Sequence, residues 1–236
     1  MKGTLLPSKP TYELDELIYH SSPYVALTEK NRNFIEGCIK IDSNYDDKQF
    51  VALVTALESC YTEPNLLEVI KEINRINSTR LSDVEMKEIA HRVFVKYPFL
   101  IDLKDALDGS QNDIKAIFQK ISESIATPNG RKRKNVSFAT KFIVYMSEKL
   151  SCGANHIYSV YDSKVADCLH EYAEIYDVQK QYKKADFDKY RNSERIWDMY
   201  LDYCECLTKL MAAVQKEHGY VITRRELDHL IWYTHK

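Results

Sequence analysis

Two residues of this sequence, Lys141 and Asp162, have the types and the spacing of a covalent catalytic pair. Lys141 lies in the segment Asn135–Phe142, and Asp162 lies 21 positions further on, in the segment Val160–Val165. A neutral lysine amine is a nucleophile, and a nearby carboxylate can stabilise positive charge on the attacked carbon and help to move protons. The pair therefore predicts attack by an amine on an electrophilic carbon, such as a carbon of a sugar.

Each of these residues also has a simpler interpretation. Lys141 could be an exposed lysine on an amphipathic helix, because exposure is the norm for lysine. Asp162 could be the N-cap of the helix that follows it, a role that is compatible with catalysis. Lys164 competes as the amine, and we rank it second because no aspartate follows it at the corresponding distance. The catalytic hypothesis requires burial or a helix N-terminus to lower the pKa of Lys141.

Helical periodicity extends over most of the chain and predicts an all-α fold. Ser82 with Glu85, and Thr223 with Glu226, have the spacing of capping boxes, and Gly219 ends the longest helix. The predicted helices are Asp47–Tyr61, Asn65–Ile76, Ser82–Tyr97, Asp113–Ile125, Ser193–Glu217 and Thr223–Tyr233, one that begins near Ser137, and one from Asp162 to about Tyr176.

Two breaks in the helical pattern bracket the helix that contains Lys141. Thr127–Gly130 has the composition of a turn, and Ser151–Ile157 is irregular. The candidates for extended structure are the short segments Tyr24–Leu27 and Ile157–Tyr161. We therefore expect a single helical domain over 1–236, with two lobes at about 1–126 and 127–236 that meet around a helix-hairpin-helix-like element. Residues 127–178 would form its nucleic-acid and active-site segment.

Positive charge is concentrated in front of the Lys141 helix. The 236 residues have a net charge of −2, but the stretch from Pro128 to Lys149 contains six basic residues and one acid. A local basic patch on a nearly neutral protein is typical of binding to a polyanion, and free N–H groups at a helix start can hold a phosphate. The alternative is a solvated loop. The candidate DNA-binding residues are Arg131, Lys132, Arg133, Lys134, Asn135 and Ser137.

Composition excludes several other classes of protein. With 44% hydrophobic and 29% charged residues, the chain has the composition of a soluble globular protein. Its apolar runs are far shorter than the roughly 20 residues that span a bilayer, and its N-terminus lacks the apolar region of a signal peptide. We therefore expect a cytoplasmic protein with no membrane partner. The six cysteines and the isolated histidines do not match the ligand spacing of a zinc site, so neither a metal nor another cofactor is predicted.

The segments that contain the pair resemble the helix-hairpin-helix DNA glycosylase superfamily, in its 8-oxoguanine DNA glycosylase-like branch. The matching residues are Ser137–Phe142 and Ile157–Val165, and the sequence Leu227–Tyr233 looks like the closing helix of some bacterial relatives. The resemblance extends over Thr127–Val178. It implies that Lys141 attacks the sugar C1′ and that Asp162 assists. The glycine-rich hairpin of that family is replaced here by Arg133–Ser137, which contains no glycine, and no cysteine cluster suits an iron–sulfur centre.

Three functions follow as hypotheses. The first is a base-excision enzyme that binds duplex DNA, flips a damaged base out of the stack and uses Lys141 with Asp162. The second is a helical DNA-binding module without turnover, which the missing hairpin glycines favour. The third is a helical protein-interaction protein whose basic loop is incidental.

Overall fold

The chain is built almost entirely from helices. A computed structural model describes residues 17–21, 23–41, 48–77, 79–126, 132–150, 157–179 and 182–235. Within these ranges it has eleven helices: α1 (Glu29–Ile41), α2 (Lys48–Ser59), α3 (Glu63–Asn77), α4 (Asp83–Lys96), α5 (Leu100–Asp108), α6 (Gln111–Ser122), α7 (Val136–Leu150), α8 (Ser163–Ile175), α9 (Lys184–Tyr190), α10 (Ile196–His218) and α11 (Arg224–Thr234). The predicted all-α fold is confirmed.

Short side-chain signals set several helix ends. Ser82 caps α4: its hydroxyl accepts from the Glu85 N–H, and the Glu85 carboxylate accepts from the Ser82 N–H, which completes a capping box. Thr223 and Glu226 form the same arrangement at α11. Gly219 ends α10 with a φ of 73°, a left-handed conformation that glycine adopts without steric cost. These three predictions from the sequence are confirmed.

The β-structure consists of two antiparallel ribbons in the described residues. β1 (Tyr19–Ser21) pairs with β2 (Tyr24–Val25), and β2 alone lies in Tyr24–Leu27, the segment that the sequence predicted as extended. β3 (Ile125–Ala126) pairs with β4 (Lys132–Arg133). The other candidate, Ile157–Tyr161, forms no strand, because side chains of neighbouring helices bind its backbone instead of a partner strand.

The connection between α6 and α7 is the ribbon β3–β4, which differs from the glycine hairpin of the resembled family. Ile125 pairs with Arg133 and Ala126 with Lys132, so the chain leaves α6, turns back through the ribbon and enters α7. Asn135, which could have replaced a hairpin glycine in a left-handed conformation, does not have a positive φ. The two helices nevertheless pack closely on each other.

Helix packing groups the elements into two sets. Helices α2 to α7 pack on one another. Helices α8 to α11 form a second set, and α1 and β2 pack on α11 of that set. The sets interleave along the chain, because α1 precedes the first set in sequence but contacts α11, so the packing does not follow a boundary near residue 126. Phe118 of α6 bridges the sets, with its ring against Trp197 and Tyr200 of α10 at centroid distances of 5.1 and 5.7 Å.

Candidate active site

Lys141 is a buried residue. It lies in the second turn of α7, which is apolar on nearly all sides, and its exposed fraction is 5%. Its Nζ donates to the carbonyl of Asn77 at the C-terminal end of α3, at 3.4 Å. The interpretation of Lys141 as a surface lysine is therefore wrong.

Hydrogen bonds between α7 and the segment before α8 bring Asp162 towards Lys141. The Tyr161 N–H donates to Thr140 Oγ1 at 3.0 Å, and that hydroxyl donates to the Ser137 carbonyl at 2.9 Å. Ser137 Oγ donates in turn to the Tyr161 carbonyl at 2.9 Å. Because Thr140 precedes Lys141 and Tyr161 precedes Asp162, these bonds fix the register in which the two candidate catalytic residues approach each other.

The same segment is held from its other side by α9, α10 and α11. Tyr200 and Tyr203 of α10 donate their hydroxyls to the carbonyls of Ser159 and Val160, at 2.7 and 3.1 Å. Arg224 donates to Ser159 Oγ at 2.9 Å. The Tyr161 ring stacks on Phe187 of α9 with its centroid 4.0 Å away. The segment therefore has a fixed shape although it contains no strand.

Asp162 also caps α8. Its Oδ1 accepts from the Lys164 N–H at 2.7 Å, so the N-cap interpretation is confirmed, and the catalytic role of Asp162 stays a prediction. Lys164 itself is exposed and is not part of the cavity wall described below, which makes it a poor candidate for the amine.

Lys141 and Asp162 line one cavity of about 300 Å³. Its walls come from the segment between α3 and α4, the residues before α7 together with its first two turns, the start of α8, and one side of α9 with its C-cap. The lining residues are Asn77, Thr79, Arg80, Leu81, Lys134, Asn135, Val136, Ser137, Phe138, Lys141, Tyr161, Asp162, Ser163, Lys184, Asp188 and Arg191. A cavity of this size falls at the small end of the range for ligand sites.

The electrostatics of the site lower the pKa of Lys141 relative to that of an exposed lysine. Burial lowers the pKa of Lys141, because the ammonium ion loses its hydration, while the carboxylates of Asp162 and Asp228 act in the opposite direction. Asp228 belongs to α11 and interacts electrostatically with both Lys141 and Asp162. Burial and the negative charge of Asp162 raise the pKa of Asp228 to about 7, against the opposing effects of His229, Lys141 and Arg225.

Asp228 is also poorly satisfied. Its Oδ1 is shielded from solvent and accepts no hydrogen bond, although the residue as a whole is only half-buried. A buried acceptor without a partner costs free energy, so such an atom in a site indicates a functional constraint or a missing ligand. One amine and two carboxylates thus influence one another electrostatically in this region, although Asp228 is not on the cavity wall.

The predicted DNA-binding residues have different environments. Arg131 lies outside the described residues, and the backbones of Lys132 and Arg133 form β4. Lys134 is half-buried at the cavity. Of the two remaining residues, Asn135 is 3% exposed with neither side-chain Oδ1 nor Nδ2 hydrogen-bonded, and Ser137 uses its hydroxyl proton on Tyr161. The side chains of Asn135 and Ser137 are thus parts of the cavity wall, not of an outer DNA-binding surface.

Sequence analysis missed several charged residues of this region, among them Asp228, Arg80 and Arg191. The signal for Asp228 is an acid within the apolar pattern of α11, between the buried Leu227 and Leu230. Arg80 and Arg191 reach the cavity through tertiary packing alone, and no sequence pattern marks them.

Other kinds of site find no support in the part of the chain that the structure describes. There, no group of three or more His, Cys, Asp and Glu side chains could hold a metal ion. No described helix combines the length and apolar character that crossing a bilayer requires. No protein family model, curated protein or solved structure matches the chain.

Proposed function

We propose that this protein is a DNA glycosylase with lyase activity, with Lys141 as the nucleophile. The single observation that supports it most is the buried amine of Lys141 in a cavity that Asp162 also lines. Lysine is among the residues least often buried, because removing its amine from water costs free energy. The resemblance of Ser137–Phe142 and Ile157–Val165 to the glycosylases supplies the substrate class.

The reaction balances on groups of this chain and the substrate. The neutral amine of Lys141 forms a bond to C1′, the glycosidic bond breaks, and its electron pair leaves with the base, which takes up a proton. The nitrogen now bound to C1′ gives up one proton, and the C1′–O4′ bond breaks, so that its electron pair goes to O4′, which takes up a proton, and a protonated Schiff base forms. Loss of a C2′ proton would then drive elimination: the C3′–O bond breaks, its electron pair leaves with the 3′ phosphate, and the strand is cut. The base must leave the duplex first.

The two carboxylates have separate tasks in this proposal. Asp162 has its Oδ1 bound to the α8 backbone, so its carboxylate cannot turn away, and it stabilises positive charge that develops on the sugar. Asp228, with a pKa of about 7, can accept the proton that the amine of Lys141 gives up and release it near neutral pH.

Borohydride trapping on duplex DNA with an abasic site or 8-oxoguanine tests the proposal, because borohydride reduces a Schiff base to a permanent adduct. We expect the wild-type protein to be trapped and Lys141→Gln to lose the adduct while it still binds DNA. Lys164→Gln is the matched control, because Lys164 is exposed and outside the cavity, and it should be trapped like the wild type. Circular dichroism checks that both variants fold.

An adduct that persists in Lys141→Gln would contradict the assignment of the nucleophile. The ribbon β3–β4 favours the second function, a DNA-binding module without turnover, because the glycines that let a hairpin approach phosphate are missing. Salt-dependent DNA binding without any adduct would support that function. The absence of both binding and adduct would support the third, a helical protein-interaction protein.

A further inference from the structure

Three basic residues at the cavity, Arg80, Lys134 and Arg191, are unpaired. In the part of the chain with described side chains, Arg80 and Arg191 are the arginines that make no side-chain hydrogen bond, ion pair or ring contact, and Lys134 makes none either. The remaining basic residue on the cavity wall outside α7, Lys184, pairs with Asp167 at 2.8 Å. Unpaired arginines that line a cavity are available to an anionic ligand.

Arg80 is held in a fixed and strained conformation. Its φ of 57° lies in the left-handed region, which is disfavoured for a residue with a long side chain. Its two neighbours are both anchored on Asn74, because Thr79 Oγ1 and the Leu81 N–H donate to Asn74 Oδ1 at 2.6 and 3.0 Å. Strain of this kind is concentrated at functional sites.

Arg191 is fixed relative to Asp162 through a different element. It is the C-cap of α9, and its N–H donates to the Asp188 carbonyl at 3.3 Å. One helical turn earlier, Phe187 stacks on Tyr161, the residue next to Asp162. The backbone of Arg191 is therefore held in a fixed position relative to Asp162.

We propose that Arg80, Lys134 and Arg191 form a phosphate-binding rim that holds the backbone of one DNA strand around the nucleotide that enters the cavity. Arg80 and Arg191 are exposed and Lys141 is buried, so phosphates would bind at the opening while the sugar and base reach the amine inside. Guanidinium groups suit this role because they bind phosphate oxygens in pairs. The identity of the polyanion as DNA rests on the proposed function.

Three separate segments supply the rim, and only Lys134 belongs to the basic run in front of α7. Arg80 belongs to the connection between α3 and α4, Lys134 to the connection between β4 and α7, and Arg191 to the end of α9. A carboxylate, Asp188, also lines the cavity, so the basic residues outnumber the acids there without forming a uniformly positive surface. Basic residues at separate points, with an acid between them, favour binding of a DNA strand in one defined position; a uniformly positive surface would attract any polyanion.

The test is the salt dependence of DNA binding in the Lys141→Gln background, with a duplex that contains a tetrahydrofuran abasic analogue and permits no chemistry. We expect Arg80→Gln and Arg191→Gln each to weaken binding about 3- to 10-fold and to lower the slope of log K against log salt by about 1, because each removes one phosphate contact. Arg80→Lys should keep most of the slope. Lys87→Gln, which removes an exposed charge of α4 outside the cavity, should change neither quantity.

A second variant separates binding from folding. Arg80→Gly suits the left-handed backbone, so it should keep or raise the melting temperature while it weakens DNA binding as Arg80→Gln does. Unchanged binding in both arginine variants, absence of salt-dependent binding by the parent protein, or tighter binding of an RNA duplex would each overturn the rim. If the arginine variants bind DNA more weakly but borohydride never traps the wild-type protein, the result would support the phosphate-binding rim and contradict the proposed glycosylase activity.

Discussion

At the residue scale, the pKa of the Lys141 amine depends on its burial and on two carboxylates, Asp162 and Asp228. A single carboxylate would favour the ammonium form of Lys141 and so oppose nucleophilic attack. Burial outweighs that effect, since the pKa of Lys141 is lowered although both Asp162 and Asp228 act to raise it. The second carboxylate, with its own pKa raised towards neutrality, carries less charge than an exposed aspartate would.

Asp228→Asn tests this arrangement through stability. The pKa of Asp228 is raised from its ordinary value to about 7, so its contribution to the free energy of unfolding is greatest below pH 4 and is lost as the pH rises through 7. At pH 8 the variant should be more stable than the wild type by about 1–3 kcal/mol, the usual cost of a buried polar group without a partner. At pH 4.5 the two should differ little.

Urea unfolding at the two pH values measures the difference. Asp198→Asn, at an exposed aspartate of α10, is the control and should show no such dependence on pH. Equal stability of Asp228→Asn and the wild type at pH 8 would mean that the ionised carboxylate is well stabilised in the fold.

The sequence marked Lys141 and Asp162, which line one cavity, but not Asp228. The first two lie near the starts of consecutive helices, α7 and α8, where their types and spacing could be recognised. Asp228 reaches them only because α11 packs on α8 and α10, an interaction between distant segments that no local spacing records. The rim arginines depend on tertiary packing in the same way.

At the element scale, the register between α7 and the Tyr161 segment depends on one buried hydroxyl. Thr140 is fully buried and accepts from the Tyr161 N–H while it donates to the Ser137 carbonyl. A valine has the same shape but neither capacity, so it would leave the Tyr161 N–H unsatisfied.

We therefore expect Thr140→Val to lower the free energy of unfolding by about 1–3 kcal/mol and to slow borohydride trapping, because Asp162 loses its fixed position. Urea unfolding and single-turnover trapping measure the two effects. Thr55→Val is the control: Thr55 is exposed on α2, and its hydroxyl donates to the Val51 carbonyl at 3.0 Å. Equal effects of the two substitutions would show that the bond to Tyr161 contributes nothing special.

Local patterns predicted the elements well where a cap or a clear apolar stripe was present. The capping boxes of α4 and α11 and the glycine at the end of α10 are examples. Helix α5 was missed because it is short and has only Leu103 and Leu107 fully in the core. The ribbon β3–β4 was also missed, since pairs of two residues leave no periodicity to detect.

At the scale of the whole molecule, Phe118 joins the two sets of helices. Phe118 is fully buried, and the two aromatic rings that it contacts, those of Trp197 and Tyr200, belong to the other set. Tyr200 also binds the Ser159 carbonyl in the segment that leads to Asp162. Removal of the Phe118 ring would therefore loosen the packing of Tyr200 and, through Tyr200, the segment that leads to Asp162.

Phe118→Ala should lower the free energy of unfolding by about 3–5 kcal/mol, as expected for the loss of a large buried aromatic ring. It should also reduce trapping under conditions where the protein remains folded. Phe99→Ala is the control, because Phe99 is 66% exposed and its loss should cost little. Thermal unfolding followed by circular dichroism compares them, and similar melting temperatures for the two variants would contradict a bridging role for Phe118.

The packing of the N-terminal elements on the C-terminal helices determines when the site can form during synthesis. The Leu27 N–H donates to the Tyr176 hydroxyl at 2.6 Å, and Arg32 pairs with Glu226 at 2.9 Å, so β2 and α1 have no docking surface until α8 and α11 have left the ribosome. Helices α2 to α7 can pack earlier, because their partners lie nearby in sequence. A nascent chain that stops after α7 contains Lys141 but neither Asp162 nor Asp228, so the candidate site is assembled only after α8 and α11 have been translated.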